Sequence, residues 1–291
     1  MFAISIFIRN FAVILISKQI SRHIMTTTLL ISTYNFPKAL SLCLESVTHQ
    51  TVMPDEVVIA DDGSRSDTRD VVVFWRDKLA CPVKHVWQED TAFRLAEIRN
   101  KALAVASGDY IIQIDGDIIM ERHFIEDHLR YAEQGTFVCG SRSRINQAHT
   151  QRLFNGELPR LSFWRQGLTD RMNALRCGLL TPFFYDYNHL RGCNMAYWLE
   201  DIKAINGFDE VIKSYGYEDE DVQERLKRIG KRKKFIKFMC IEYHLYHPEH
   251  PTKKHLTETR KLIDSNNDIH LVRSEKGIDS HYQENNLVLL Y

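Results

Sequence analysis

The sequence has no Cys-x-x-Cys pair; its six cysteines stand at 43, 81, 139, 177, 193 and 240. That spacing offers neither a zinc knuckle nor a disulfide framework, so reduced thiols in a cytoplasm are the default. Glycine is sparse, 13 in 291 residues, and occurs in neither a GxGxxG nor a GxxxxGKS/T run. The glycine-rich cradles of dinucleotide and P-loop sites are therefore missing, and a phosphate must be held another way. Net charge is also missing: 38 Lys+Arg face 38 Asp+Glu, which argues against a general polyanion binder. The N-terminal apolar run, residues 2–16, is broken by Arg9 and Asn10. It is short of the roughly 20 residues a bilayer span needs, and a central Arg costs about 2.5–3.5 kcal/mol on insertion. Its charge and small residues are not placed as in a signal peptide.

What is present describes an ordinary globular chain, 44% hydrophobic, 26% charged and 11% aromatic, long enough to bury a proper core. Met25 opens MTTTLLISTYN, where a strand starts almost at once. The preferred reading is that translation begins at Met25 and that residues 1–24 are a doubtful extension. An interfacial membrane anchor is the alternative.

From Thr28 short apolar runs alternate with helical periods. TLLIS (28–32) reads as a strand, and Pro37 suits the first turn of a helix carrying Leu40, Leu44 and Val47. EVVIA (56–60) is a second strand ending in Asp61-Asp62-Gly63-Ser64, and 83–87 is a third. A helix through Leu95, Ile98, Ala102 and Val105 is expected to stop at Gly108. YIIQI (110–114) reads as a buried central strand ending in Asp115-Gly116-Asp117. This alternation predicts an α/β chain with a doubly wound, mostly parallel sheet. Residues 141–187 read as loops or short helices, Cys193–Tyr197 as a strand, Asp219–Ile229 as a helix and Lys233–Tyr243 as one or two strands. The expected division is 25–140 and 141–255 as two halves of one compact domain, then 256–291 as a C-terminal tail.

In an open parallel sheet, ligands bind beyond the carboxyl ends of the strands. Three predicted strand ends carry polar clusters: Ser32-Thr33-Tyr34-Asn35, Asp61-Asp62-Gly63-Ser64 and Asp115-Gly116-Asp117. Two carboxylates flanking a glycine can hold a hard divalent cation that neutralises a diphosphate. Alone, Asp-Asp-Gly-Ser is a turn with a helix cap, and an Asp-x-Asp is common; their occurrence at successive strand ends favours a site. Four acidic residues, Glu218 to Asp221, open a helix. They complement its dipole, or one of them removes a proton from an attacking hydroxyl.

In order along the chain, ISTYN, VVIADDGS, FRLAEIRNKAL and YIIQIDGD resemble the nucleotide-sugar half of family 2 glycosyltransferases of the GT-A fold. RGCNMAYW, INGFDE, YGYEDEDVQERL and HLYH resemble the catalytic half of β-1,4-galactosyltransferases and bacterial chondroitin-type polymerases. The resemblance covers about residues 28–250 and implies an inverting, Mn²⁺- or Mg²⁺-dependent transferase using a UDP-sugar. It implies that Thr33, Tyr34 and Asp62 contact the uridine, that Arg94 approaches the base, and that Asp115 holds the ribose or sugar. It makes Asp117 and His247 metal ligands, with His244 where the vertebrate enzymes have a methionine. Asp219 becomes the base, and Glu218 orients it or the acceptor. Tyr215 and Tyr217 border the acceptor, with Tyr215 in place of a tryptophan and Tyr217 in place of a glycine. Leu190 falls where an aromatic favours galactose, so UDP-GalNAc is as compatible as UDP-Gal. The implied acceptor is a glycan or lipid-linked oligosaccharide.

Residues 225–237 hold eight Lys/Arg in thirteen positions. They read as a solvated helix and edge strand, or as a patch for anionic lipid at the inner face of the plasma membrane; no base-stacking module accompanies them, so nucleic acid is not expected. Two rivals remain. A nucleotidyltransferase would want a glycine-rich loop after the first strand, and STYNFPK has none. A non-catalytic carbohydrate-binding subunit would have lost Asp117 or Asp219, and both are intact.

Overall fold

The computed structural model describes residues 25–291 apart from 158–160, 165, 188–189, 214–215, 249–255, 285–286, 288 and 290–291. Tyr215 and the extension 1–24 thus lie outside the described residues. The first half follows the apolar pattern closely: β1 (Thr27–Thr33), α1 (Pro37–Thr48), β2 (Glu56–Asp61), α2 (Ser66–Arg76), β3 (Val83–Trp87), α3 (Leu95–Val105) and β4 (Tyr110–Asp115). β1 and β2 are buried along their whole length, as expected of runs sandwiched between helices. The second half adds β5 (Ile118–Met120), α4 (Phe124–Tyr131), β6 (Thr136–Cys139), β7 (Ser141–Arg144), α5 (Gln147–Phe154), β8 (Asn194–Trp198), α6 (Leu199–Ala204), α7 (Glu218–Arg228), β9 (Arg232–Phe235), β10 (Ile241–His244) and α8 (Leu256–Asp268).

Seven strands form one sheet in the order β3-β2-β1-β4-β8-β6-β9, with β4 at its centre. β1, β2, β3 and β4 are parallel, β8 runs antiparallel to β4 and β6, and β9 is parallel to β6. One face packs Leu40, Leu44, Phe124 and Ile125; the other packs Ile98, Ala102, Ile202, Val222 and Leu226. Burying each such side chain is worth about 1.5–3 kcal/mol. β5, β10 and β7 form a second, three-stranded sheet. The Asp115-Gly116-Asp117 turn joins the two sheets: Gly116 N donates to Ser32 O at 2.7 Å, and Leu245 N donates to Asp117 O at 2.9 Å.

Three expectations change. The helix expected to stop at Gly108 ends at Val105, and Ala106 is already extended. Gly108 is small because the β1 backbone passes beside it: an added Cβ would lie 2.5 Å from Thr28 N. Within 141–187, read as loops or short helices, β7 forms because β10 supplies a parallel partner, Arg142 opposite Glu242 and Arg144 opposite His244. The basic run is open only in part: β9 is an edge strand and Lys227 and Arg232 are exposed, but three of the eight cations, Arg225, Lys233 and Lys234, are buried. Arg225 is buried and donates to Asp221 at 2.7 Å, Lys231 pairs with Asp201 at 2.6 Å, and Arg228 donates to Leu271 O at 2.6 Å. Lys233 and Lys234 are buried on edge strand β9, the latter paired with Glu133. Charges interleaved with Leu226, Phe235 and Ile236 follow those residues inward, where each needs a partner.

Beyond α8 the chain returns to the sheet. Buried Glu210 accepts from Asn100 Nδ2 at 3.0 Å and contacts His281 Nε2 at 2.6 Å. Asn100 also brackets the backbone of Phe208, accepting from its N at 2.8 Å and donating to its O at 2.9 Å. Among the described residues no helix is long and apolar enough to cross a membrane.

Candidate active site

The carboxyl ends of β1, β2 and β4 share one edge, because β1 is in register with both neighbours: Thr33 opposite Asp61, Ser32 opposite Asp115. The three polar clusters therefore converge. Asp61 serves the fold, accepting from Ser64 N at 2.8 Å and contacting His85 Nε2 at 3.0 Å. Asp62 is buried, which pushes its pKa up, and accepts from Gln88 and from Arg94 N. Its N donates to Thr33 O at 3.0 Å. Tyr34 is largely exposed and donates to Asp90 at 3.0 Å. The guanidinium of Arg94, expected over a base, donates instead to Glu97 at 3.2 Å and to Glu89 O; its backbone N, not its charge, meets Asp62.

A fully buried arginine organises the centre. Arg99, on α3, donates to Ser32 Oγ at 3.1 Å, Asp115 at 3.2 Å, Glu218 at 3.4 Å and Asp219 at 3.2 Å. Phe208 stacks 5.1 Å from it. No motif of the sequence assigns this residue a role. The only signal was a charged residue on the apolar face of α3, among Ala96, Ile98 and Ala102. Three carboxylates around one cation leave negative charge in excess. Burial, then Glu218, raises the Asp219 carboxyl to about 7 against the opposing pull of Arg99. Burial also raises Asp115, again opposed by Arg99.

Asp219 sits in the first turn of α7, entered through Tyr217 with a left-handed φ of 71°. The Tyr217 ring lies 5.3 Å from the Arg260 guanidinium, and Leu190 packs half-buried against the core beneath. Gly192, another residue the sequence did not single out, presses on Asp219, and any Cβ there would occupy the carboxylate's place. Gln113 pins the glycine by donating to its O at 2.9 Å. Gly192→Ala should fold normally but displace Asp219. A loss of roughly 100-fold in kcat is expected, since a misplacement of about 1 Å costs that much. Steady-state kinetics beside a circular dichroism melt checks it.

Across the turn, Asp117 Oδ2 lies 3.2 Å from His247 Nε2 and 3.4 Å from His244 Nε2. One ligand atom from each of the three residues lies within 4.8 Å of the others. Burial pushes the Asp117 pKa up, but His244 and then His247 outweigh it and hold the carboxyl below its usual range. Burial lowers His244, and the contact with Asp117 raises His247. His247 Nδ1 meets Pro248 O at 2.8 Å, which turns Nε2 towards Asp117. Asp117 Oδ1 is buried with no hydrogen-bond partner among the described residues. That orphaned oxygen and the mixed carboxylate–imidazole set fit a divalent cation.

Comparison with known proteins gives the family and the fold. Residues 28–194 match the family described as glycosyl transferase family 2, and residues 180–250 match that described as N-terminal domain of galactosyltransferase. The chain is 27% identical over 224 residues to a validoxylamine A glucosyltransferase of Streptomyces hygroscopicus subsp. limoneus, covering 72% of this chain and 49% of that one. It is 26% identical over 258 residues to a chondroitin synthase of Escherichia coli, covering 79% and 36%. It therefore spans half or less of these curated relatives. Among solved structures, S. aureus TarS 1–349 in complex with UDP-GlcNAc superposes with a TM-score of 0.59 at 16% identity, covering 88% of this chain and 69% of that one. The mannosyltransferase PcManGT of Pyrobaculum calidifontis, with GDP-Man and Mn²⁺, gives 0.53 at 17%, covering 79% and 59%. At such identities the likeness is one of fold.

Proposed function

This chain belongs to glycosyl transferase family 2 and has the GT-A fold, and on that premise we propose an inverting, cation-dependent transfer of a hexose or N-acetylhexosamine. The donor is a UDP-sugar and the acceptor a hydroxyl of a glycan or lipid-linked oligosaccharide on the cytoplasmic side of a membrane. The observation that carries the reading is the pairing of two unlike acidic centres. Asp219 lies 3.2 Å from Arg99 beside Glu218, its carboxyl raised to about 7, while Asp117 Oδ2 lies 3.2 Å from His247 Nε2 and 3.4 Å from His244 Nε2.

Residues 25–140 take the nucleotide: Thr33, Tyr34 and Asp62 line the uridine, and Asp115 accepts from a ribose or sugar hydroxyl. The Arg94 backbone orders the Asp62 side of that pocket. Asp117, His244 and His247 would hold a divalent cation, which when bound would supply charge neutralisation for the diphosphate leaving group. Residues 141–255 take the acceptor, with Tyr217 offering a ring face to a sugar. Asp219 removes the proton from the acceptor hydroxyl as its oxygen bonds to the anomeric carbon. The bond from that carbon to UDP breaks on the opposite side, which inverts the centre. Arg99 and Glu218 fix the direction of the Asp219 carboxylate. Leu190 leaves room for an acetamido group, so the reading admits UDP-GalNAc as well as UDP-Gal.

A panel of UDP-sugars, run with Mn²⁺ and with EDTA and scored by UDP release, tests it. At least one donor should turn over with Mn²⁺ and fall to background with EDTA. EDTA-resistant turnover would remove the cation from the mechanism, and pyrophosphate release in place of UDP would make this a nucleotidyltransferase.

A further inference from the structure

Large apolar side chains in contact with water are concentrated in one short segment. Leu179 is 88% exposed, Phe183 82%, Tyr187 60% and Leu180 42%. At the middle of the segment is a 3₁₀ turn, Thr181–Phe184, capped by Leu180, with Phe183 N donating to Leu180 O at 3.2 Å. A three-residue period stacks positions 180 and 183 on one side.

The turn is firmly held from beneath. Buried Thr181 donates from Oγ1 to Lys237 O at 2.8 Å, and Phe184 meets Phe238 edge-on at 5.4 Å. Phe235 N donates to Tyr185 O at 2.9 Å, and Cys177 N to Phe238 O at 3.1 Å. The neighbours of Leu179, Leu180 and Phe183 thus anchor a knob whose own side chains face water. An exposed apolar cluster of this kind marks an interaction surface.

Charge around the knob identifies what it meets. Lys237 lies 4.8 Å over the Phe184 ring and Lys234 5.5 Å over Tyr185, while exposed Arg130 acts on Tyr131 and Tyr185. Against these stand Glu133, already paired with Lys234, and exposed Asp186. With buried Lys234 and Glu133 cancelling, Lys237 and Arg130 outnumber Asp186, and the rim is cationic on balance. An apolar tip, a tyrosine at its edge and a cationic rim match the order of acyl chains, interface and phosphates in an anionic bilayer.

We propose that Leu179, Leu180 and Phe183 form a membrane-insertion knob that docks the protein on anionic lipid, with Lys237 and Arg130 at phosphate level. It replaces the broad basic patch read from residues 225–237, most of whose charges are paired internally.

Flotation of the full chain with phosphatidylcholine vesicles, with and without about one third phosphatidylglycerol, tests this. The parent should bind the anionic vesicles preferentially. Leu179→Ser with Phe183→Ser should weaken binding by roughly tenfold per side chain, with an unchanged thermal midpoint and unchanged UDP release. Lys237→Glu should remove the preference for phosphatidylglycerol. A parent that ignores vesicles, or a double variant that still binds them, would overturn the proposal. So would a parental dimer that the double variant dissolves, since a second copy would then cover the knob. Vesicle binding is read without turnover, so failure here and failure of the UDP-sugar reading are separate results.

Discussion

Asp219→Asn should bind UDP-sugar as tightly as the parent and lose transfer by about 10³-fold, within the range general base catalysis supplies. The amide keeps the shape of the side chain and its contact with Arg99 but cannot accept the acceptor's proton. Because burial and Glu218 raise the Asp219 carboxyl to about 7, its pH dependence is the more telling readout. A base works deprotonated, so kcat/KM in the parent should rise through about pH 7 and level off above it. The residual activity of the variant should be flat across the same range. Isothermal titration with UDP and a pH–rate profile separate the two effects. Normal transfer by the variant would exclude Asp219 as the base.

Asp117→Ala should lose cation-dependent turnover by a similar or larger factor, since charge neutralisation of a leaving diphosphate is worth several kcal/mol. The variant keeps His244 and His247 but loses the only carboxylate among the three candidate ligands. Binding supplies an independent test. Mn²⁺ with UDP should raise the thermal midpoint of the parent, because a ligand that binds only the folded state stabilises it. That increment should vanish in the variant while the midpoint without Mn²⁺ stays high. An increment that survives would place the cation elsewhere.

Reading the strands from the sequence worked because their signal is local. TLLIS, EVVIA and YIIQI are short, rich in β-branched residues, apolar on both faces and end abruptly in polar residues, as strands buried between helices do. The same endings placed Thr33, Asp62 and Asp115 on one edge, since parallel strands in register must finish together. His244 and His247 were legible through motif resemblance alone; a His-x-x-His pair carries no such signal by itself. Arg94 shows what a motif does not carry: its backbone N donates to Asp62 while its guanidinium donates to Glu97 and Glu89 O.

The sequence by itself determined the α/β alternation, the turn bearing Asp115 and Asp117, and the acidic start of α7. Each follows from neighbours a few residues apart and from backbone hydrogen bonds that must be satisfied locally. Only the tertiary structure decided that Arg99 reaches Asp219 from 120 residues away, that Gly192 lies against the Asp219 carboxylate, and that Arg225, Lys233 and Lys234 of the basic run turn inward. It alone set Leu179 and Phe183 facing water. Those outcomes depend on which side chains meet when the two sheets pack, and desolvation makes each buried charge find its partner wherever in the chain that partner lies.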